Sequence, residues 1–189
     1  MKSLMKFLAV IAAVMSFVSC IKGDGDAEYG NCYIYIPQAT QSGSLNNHYN
    51  VPSGDGPYTY NFKVEDGLLK IMMGVLRSGK TEGNPYTADI AENSAATDKF
   101  ITEMNGDSTD KYMKMPAIYT FPSKIEVGKG ENGKTFYIEI PVSEVEKLEY
   151  DSKVLVLTLK LMDSTGYPLS EKNTEVVVLL DTDSIEKHF

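Results

Sequence analysis

The chain has 189 residues, with 18 basic against 26 acidic side chains and a formal charge of −8. Such a surface is a poor match for nucleic acid, whose phosphates are bound by clustered lysine and arginine, and two cysteines cannot build a disulfide framework. Tryptophan is absent, and the only histidines, His48 and His188, sit in no serine-triad signature and at no metal-ligand spacing.

Lys2 and Lys6 lead into the apolar run FLAVIAAVMSFV, followed by Ser19 and Cys20, with no acidic residue before the cysteine. This is the layout of a secretory signal over residues 1–19. Its apolar core is too short to remain as a spanning helix, which needs roughly 20 residues. Phe17, Val18, Ser19 and Cys20 resemble a bacterial lipoprotein box, with phenylalanine in the usual leucine position. The resemblance implies that Cys20 is lipidated and becomes the first residue of the mature chain. At about 0.8 kcal/mol per buried methylene, two or three acyl chains hold a protein on a membrane.

Cleavage there removes two lysines and no acid, leaving 170 residues with a formal charge of −10, enough for one domain with a real core. Residues 20–30 are rich in glycine and acid and read as a flexible tether. Within them Lys22, Asp24 and Asp26 resemble the surface-export signal of Bacteroidetes lipoproteins, which implies an outer-membrane protein facing the cell exterior.

A single folded domain is expected over 31–183, followed by a tail at 184–189. CYIYI at 32–36 is a weak strand, and its Cys32 reads as a small apolar residue because no base motif accompanies it. SLNNHYNVPSGDG reads as a polar loop carrying His48 and Tyr49. In YTYNFKV at 58–64, Tyr58, Tyr60, Phe62 and Val64 form the apolar face, and Thr59, Asn61 and Lys63 the wet one. LLKIMMGVLR at 68–77 and PYTADIAE at 85–92 are further strands, the latter poorly patterned and a candidate sheet edge.

SAATDKFITEM is a helical candidate, with Phe100, Ile101 and Met104 at helical spacing. A broken strand pair is expected around AIYTF and KIEV. In KTFYIEIPV, Phe136, Ile138 and Ile140 alternate with the wet positions Thr135, Tyr137 and Glu139 before Pro141 interrupts the ladder. SEVEKL follows as a second short helix, with Ser143 and Glu146 at capping-box spacing. KVLVLTLKLM at 153–162 lines one face with Leu155, Leu157, Leu159 and Leu161 and reads as a central strand; TEVVVLLD at 174–181 is its hairpin partner across the turn-rich DSTGYPLSEKN. Many short strands and at most one or two short helices predict an all-β fold, an immunoglobulin-like antiparallel β-sandwich of about seven to eight strands.

GVLRSG at 74–79, KYMKMPAIYTFPSKIEVGKGENGKTFYIEIPV at 111–142 and KVLVLTLKLMDSTGYPLS at 153–170 resemble a Bacteroidetes surface-lipoprotein family, domain of unknown function 1735. Arg77, Ser78, Gly79, Tyr112, Met115, Pro116, Tyr119, Gly128 and Gly166 occupy that family's motif places, in its order. The resemblance implies an immunoglobulin-like sandwich on a surface lipoprotein associated with glycan harvesting. It implies no catalytic residue.

The residues themselves nominate no catalytic group, metal site or cofactor. Acidic side chains are too many for any pair to single itself out at the carboxylate spacing a retaining glycosidase needs. NGDSTD at 105–110 could offer oxygens to calcium through Asn105, Asp107 and Asp110, but lacks EF-hand spacing and reads as a self-bonded turn. For a sugar, the candidates are the loop tyrosines Tyr49, Tyr112 and Tyr167, as aromatic platforms. The leading expectation is a non-catalytic, lipid-anchored surface protein that binds polysaccharide or acts as a scaffold beside outer-membrane uptake proteins. The alternative is an adhesive or pilus-type subunit that binds a protein partner through a sheet edge.

Overall fold

The computed structural model describes residues 30–40, 47–54, 61–79, 83–107 and 110–189. The signal, Cys20, nearly all of the tether, Tyr58 and Tyr60 lie outside these residues.

Two sheets face each other across one core. The smaller is built on β4 (Leu68–Arg77). One edge of β4 pairs antiparallel with β8 (Gly133–Pro141), and the other with both β1 (Ile34–Tyr35) and β3 (Phe62–Glu65). The larger sheet has the order β2 (His48–Val51), β10 (Glu175–Asp181), β9 (Val154–Thr165), β5 (Tyr86–Glu92) and β7 (Lys124–Val127), and β6 (Tyr112–Lys114) also pairs with β9. Among the described residues three α-helices complete the order: α1 (Ser94–Asn105), α2 (Val142–Val145) and α3 (Thr182–Ile185).

The all-β sandwich, the central strand β9 and its hairpin with β10 are as the alternation predicts. Leu155, Leu157, Leu159 and Leu161 enter the core with Val176, Val178 and Leu180, opposite Ile71, Met73, Phe136 and Ile138 of the other sheet. Each such side chain contributes about 1.5–3 kcal/mol by leaving water.

Five details differ from the sequence reading. First, the described residues form ten strands, because HYNV and YMK, expected in loops, are β2 and β6. Both pair parallel with a longer neighbour, so the larger sheet is mixed. Strands this short show no readable alternation and are set by the partner they pair with. Second, β5 is no edge, since β9 and β7 flank it.

Third, burial is exchanged at two positions, one just before β3 and one within it: Asn61 is 6 % exposed, whereas Val64 is 40 % exposed. The Asn61 amide earns its burial by donating to the Asn50 carbonyl at 2.7 Å and accepting the Ser53 N–H at 3.2 Å. Fourth, α2 starts at Val142 behind Pro141, so Ser143 lies inside the helix and makes no capping bond. Finally, the tail at 184–189, for which the sequence leaves docking open, packs on the domain: Ile185 is fully buried and His188 meets Phe62 edge to face at 5.2 Å.

α1 packs on the outer face of the larger sheet over β6, β9 and β10. Asn93 caps it, its side chain accepting the Ala96 N–H at 3.2 Å and donating to Glu175 at 2.6 Å. Phe100 then sits on Val154, Val156, Val177 and Leu179 as a second apolar cluster, with His48 and Tyr112 edge to face on its ring. Burial lowers the pKa of His48.

Candidate functional site

The three nominated tyrosines are not brought together. Tyr49 is 1 % exposed, so its ring is closed to any ligand. Along β4, the edge left open between β1 and β3 is completed by side chains. The Tyr49 hydroxyl donates to the Met72 carbonyl at 2.8 Å, and Gln38 accepts the Gly74 N–H at 3.1 Å. Burial pushes the Tyr49 hydroxyl up to about 12. Tyr112 is half-buried in β6, its ring against Phe100, and both its backbone groups are bonded by Asn105. That bonding, with Asp110 paired to Lys153 at 2.8 Å, shows a turn satisfying itself; among the described residues no cluster of His, Cys, Asp or Glu is placed for a metal ion.

Tyr167 does lie in a loop, but as a peg. Arg77 stands 5.0 Å over its ring, Tyr86 packs against its edge, and its hydroxyl accepts the Asn84 N–H at 3.0 Å. Arg77, 5 % exposed, also donates to Asn132 at 2.9 Å and to the half-buried Cys32 sulfur at 3.5 Å. Ser78 accepts the Tyr33 N–H and donates to the Asn31 carbonyl. The Arg-Ser-Gly motif therefore fastens the start of the domain to the end of β4.

Tyr112 does line a depression of about 230 Å³ with Asn50, Pro52 and Lys111, and further half-buried aromatic residues lie on the outer face of the smaller sheet and beside it. Alternation along β8 turns Phe136, Ile138 and Ile140 inward and leaves Thr135, Tyr137 and Glu139 outside. Beside β8 the crossing segment 119–122 bridges through Thr120, whose backbone exchanges two hydrogen bonds with Glu139. Thr120, Phe121, Pro122, Tyr137 and Glu139 thereby line a depression of about 370 Å³. Phe121, which also packs against the core, and the half-buried Tyr137 border it beside a threonine and a glutamate, and aromatic carbon next to a hydroxyl and a carboxylate is the combination that holds a sugar by stacking and hydrogen bonding.

Both residues are held by neighbouring side chains. Phe121 stacks on Tyr119 at 6.1 Å, and the Tyr119 hydroxyl donates to Glu92 at 2.5 Å. Burial and that carboxylate push the Tyr119 hydroxyl above its ordinary value, while bonds from Ser94 and Tyr119 hold Glu92 below its own. Lys63 stands 5.1 Å over the Tyr137 ring and bonds Glu65 at 2.8 Å; Lys70 bonds Glu65 at 3.0 Å and approaches Glu139 at 3.7 Å. Hydrogen bonds from Lys63 and then Lys70 hold the Glu65 carboxyl down to about 2.

A wider cleft of about 620 Å³ at one end of the sandwich is lined by Pro85, Thr87, Glu126, Glu131, Lys134 and Thr165 among others. Its aromatic wall is Tyr86, only 2 % exposed, so it offers no ring for stacking. Sequence reasoning missed Phe121 and Tyr137. The available signal was an aromatic on the wet side of an alternating strand, two residues from Glu139.

The sequence matches no family model and no curated protein. The fold does match solved Bacteroides ovatus structures. A multidomain protein that includes domain of unknown function 1735 aligns at TM-score 0.51 and 17 % identity over 78 % of this chain and 44 % of that one. A protein of unknown function aligns at TM-score 0.50 and 17 % identity over 78 % and 46 %. A protein proposed to bind carbohydrate aligns at TM-score 0.50 and 9 % identity over 79 % and 36 %. The chain thus spans less than half the length of each of these. Its sandwich is the one found in a Bacteroides protein that includes domain of unknown function 1735, in agreement with the resemblance in its motifs.

Proposed function

We propose that this is a non-catalytic, glycan-binding surface module of a polysaccharide-utilisation system, tethered to the outer membrane through lipid on Cys20 and exposed to the cell exterior. The observation that carries the glycan reading is the Phe121–Tyr137 depression with Thr120 and Glu139 on its rim. The likeness to a B. ovatus protein proposed to bind carbohydrate supports it, and the lipoprotein box and acidic tether support the location.

Affinity electrophoresis against plant and host polysaccharides is the test: at least one neutral polymer should retard the protein, and Phe121→Ala with Tyr137→Ala should abolish the retardation. No retardation by any polymer removes the glycan role and leaves the scaffold version. The anchor is tested separately, by feeding cells a clickable fatty acid. Label should appear on the wild type and vanish in Cys20→Ser, and an unlabelled wild type contradicts anchoring.

A second reading, strand addition by a protein partner, has one observation in its favour. Among the described residues, the edge of β8 facing away from β4 is paired only at the Thr120 bridge. Cross-linking on cells that captures a partner through residues 133–137 would favour it.

A further inference from the structure

The Phe121–Tyr137 depression is one end of a longer track. Cross-strand register sets Met72 beside Tyr137, Gly74 beside Thr135 and Leu76 beside Gly133. A second depression of about 240 Å³ is lined by Pro37, Met72, Gly74, Leu76, Gly133 and Thr135 among others. Both therefore lie on the same outer face and adjoin along β8, where Gly133 to Glu139 covers about 20 Å at the rise of a strand. Two glycines at the far end admit the side chains of Leu76 and Pro37, which form its surface. A Cβ on Gly133 would fall 2.3 Å from the Leu76 side chain, and one on Gly74 would fall 3.2 Å from Pro37.

Most of the charges beside this track are paired. Lys63 and Lys70 face Glu65 and Glu139 in one connected set of ion pairs. Lys134, which also lines the second depression, turns its ammonium to the Glu126 carbonyl at 3.2 Å and keeps its charge. Apart from that one cation, ring, aliphatic carbon and hydroxyl border the track. An acidic polymer, although it would meet Lys134, faces the repulsion of a chain with formal charge −8.

Resting on the glycan reading above, we infer that the ligand is an internal stretch of an uncharged, linear glycan lying along β8, with several sugar rings in file across both depressions. Calorimetry with a series from disaccharide to hexasaccharide, cut from whichever neutral polymer retards the protein, tests it. Affinity should climb at least about tenfold over the series, equivalent to 1.4 kcal/mol. Thr135→Glu, an exposed position midway along the track, should erase that climb while leaving the disaccharide nearly unaffected, and polygalacturonate should not retard the protein.

Affinity independent of length, a climb that survives Thr135→Glu, or equal retardation by polygalacturonate overturns the extended neutral track while leaving glycan binding intact. Failure of every polymer to bind overturns the glycan reading itself.

Discussion

The outer faces of the two sheets have opposite fates. On the larger sheet, Val154, Val156, Val177 and Leu179 point outward and are roofed by Phe100 of α1. On the smaller, Met72, Leu76 and Tyr137 are half-buried, and among the described residues the short Pro37–Thr40 turn lies beside them. Apolar surface that serves stability is covered from within the chain. Apolar surface left at the solvent boundary, set among fixed charges and hydroxyls, is where a ligand can be received.

The comparison breaks most visibly at the roof. Phe100→Ala should lower stability by about 3 kcal/mol, the range for a buried phenylalanine, seen as a melting temperature roughly 6–12 °C lower. Glycan affinity below the transition should be unchanged. Tyr137→Ala should do the reverse, with a stability change under about 1 kcal/mol and at least about a tenfold loss of glycan affinity by calorimetry.

A smaller effect is expected where the sheet edge is completed by side chains. Tyr49→Phe leaves the Met72 carbonyl without its donor and should cost about 1–1.5 kcal/mol in urea denaturation. The hydroxyls of Tyr49 and Tyr86 are raised to about 12 by burial. A raised folded-state value favours the protonated form, so their stabilisation is whole below pH about 10 and is lost as pH rises toward about 12. Denaturation across that window should show the loss, and Tyr49→Phe should show less of it. Least of all, Lys63→Ala removes an exposed, solvent-screened pair and should leave the urea midpoint indistinguishable from wild type.

Legibility followed the length of the alternating runs. β4, β8, β9 and β10 stand out because seven or more residues keep period two or stay continuously apolar. β2 and β6 are invisible because four and three residues carry no period, and their place is fixed by β10 and β9. The same limit misplaced the site. Tyr49 looks like a loop residue until the strand pairing buries it. Tyr137, on the wet side of a correctly read strand, shows its worth only when the crossing segment brings Phe121 alongside. Proximity between segments 16 residues apart is set by tertiary structure, not by local pattern.

Hydrogen–deuterium exchange of the full chain, with and without the longest neutral oligosaccharide that binds, tests most directly where a ligand sits. Protection should appear in residues 120–122 and 133–139 and leave α1 unchanged. Protection confined to residues 84–87 and 126–131, around the end cleft, or to α1 would contradict the assignment of the open sheet face as the binding surface.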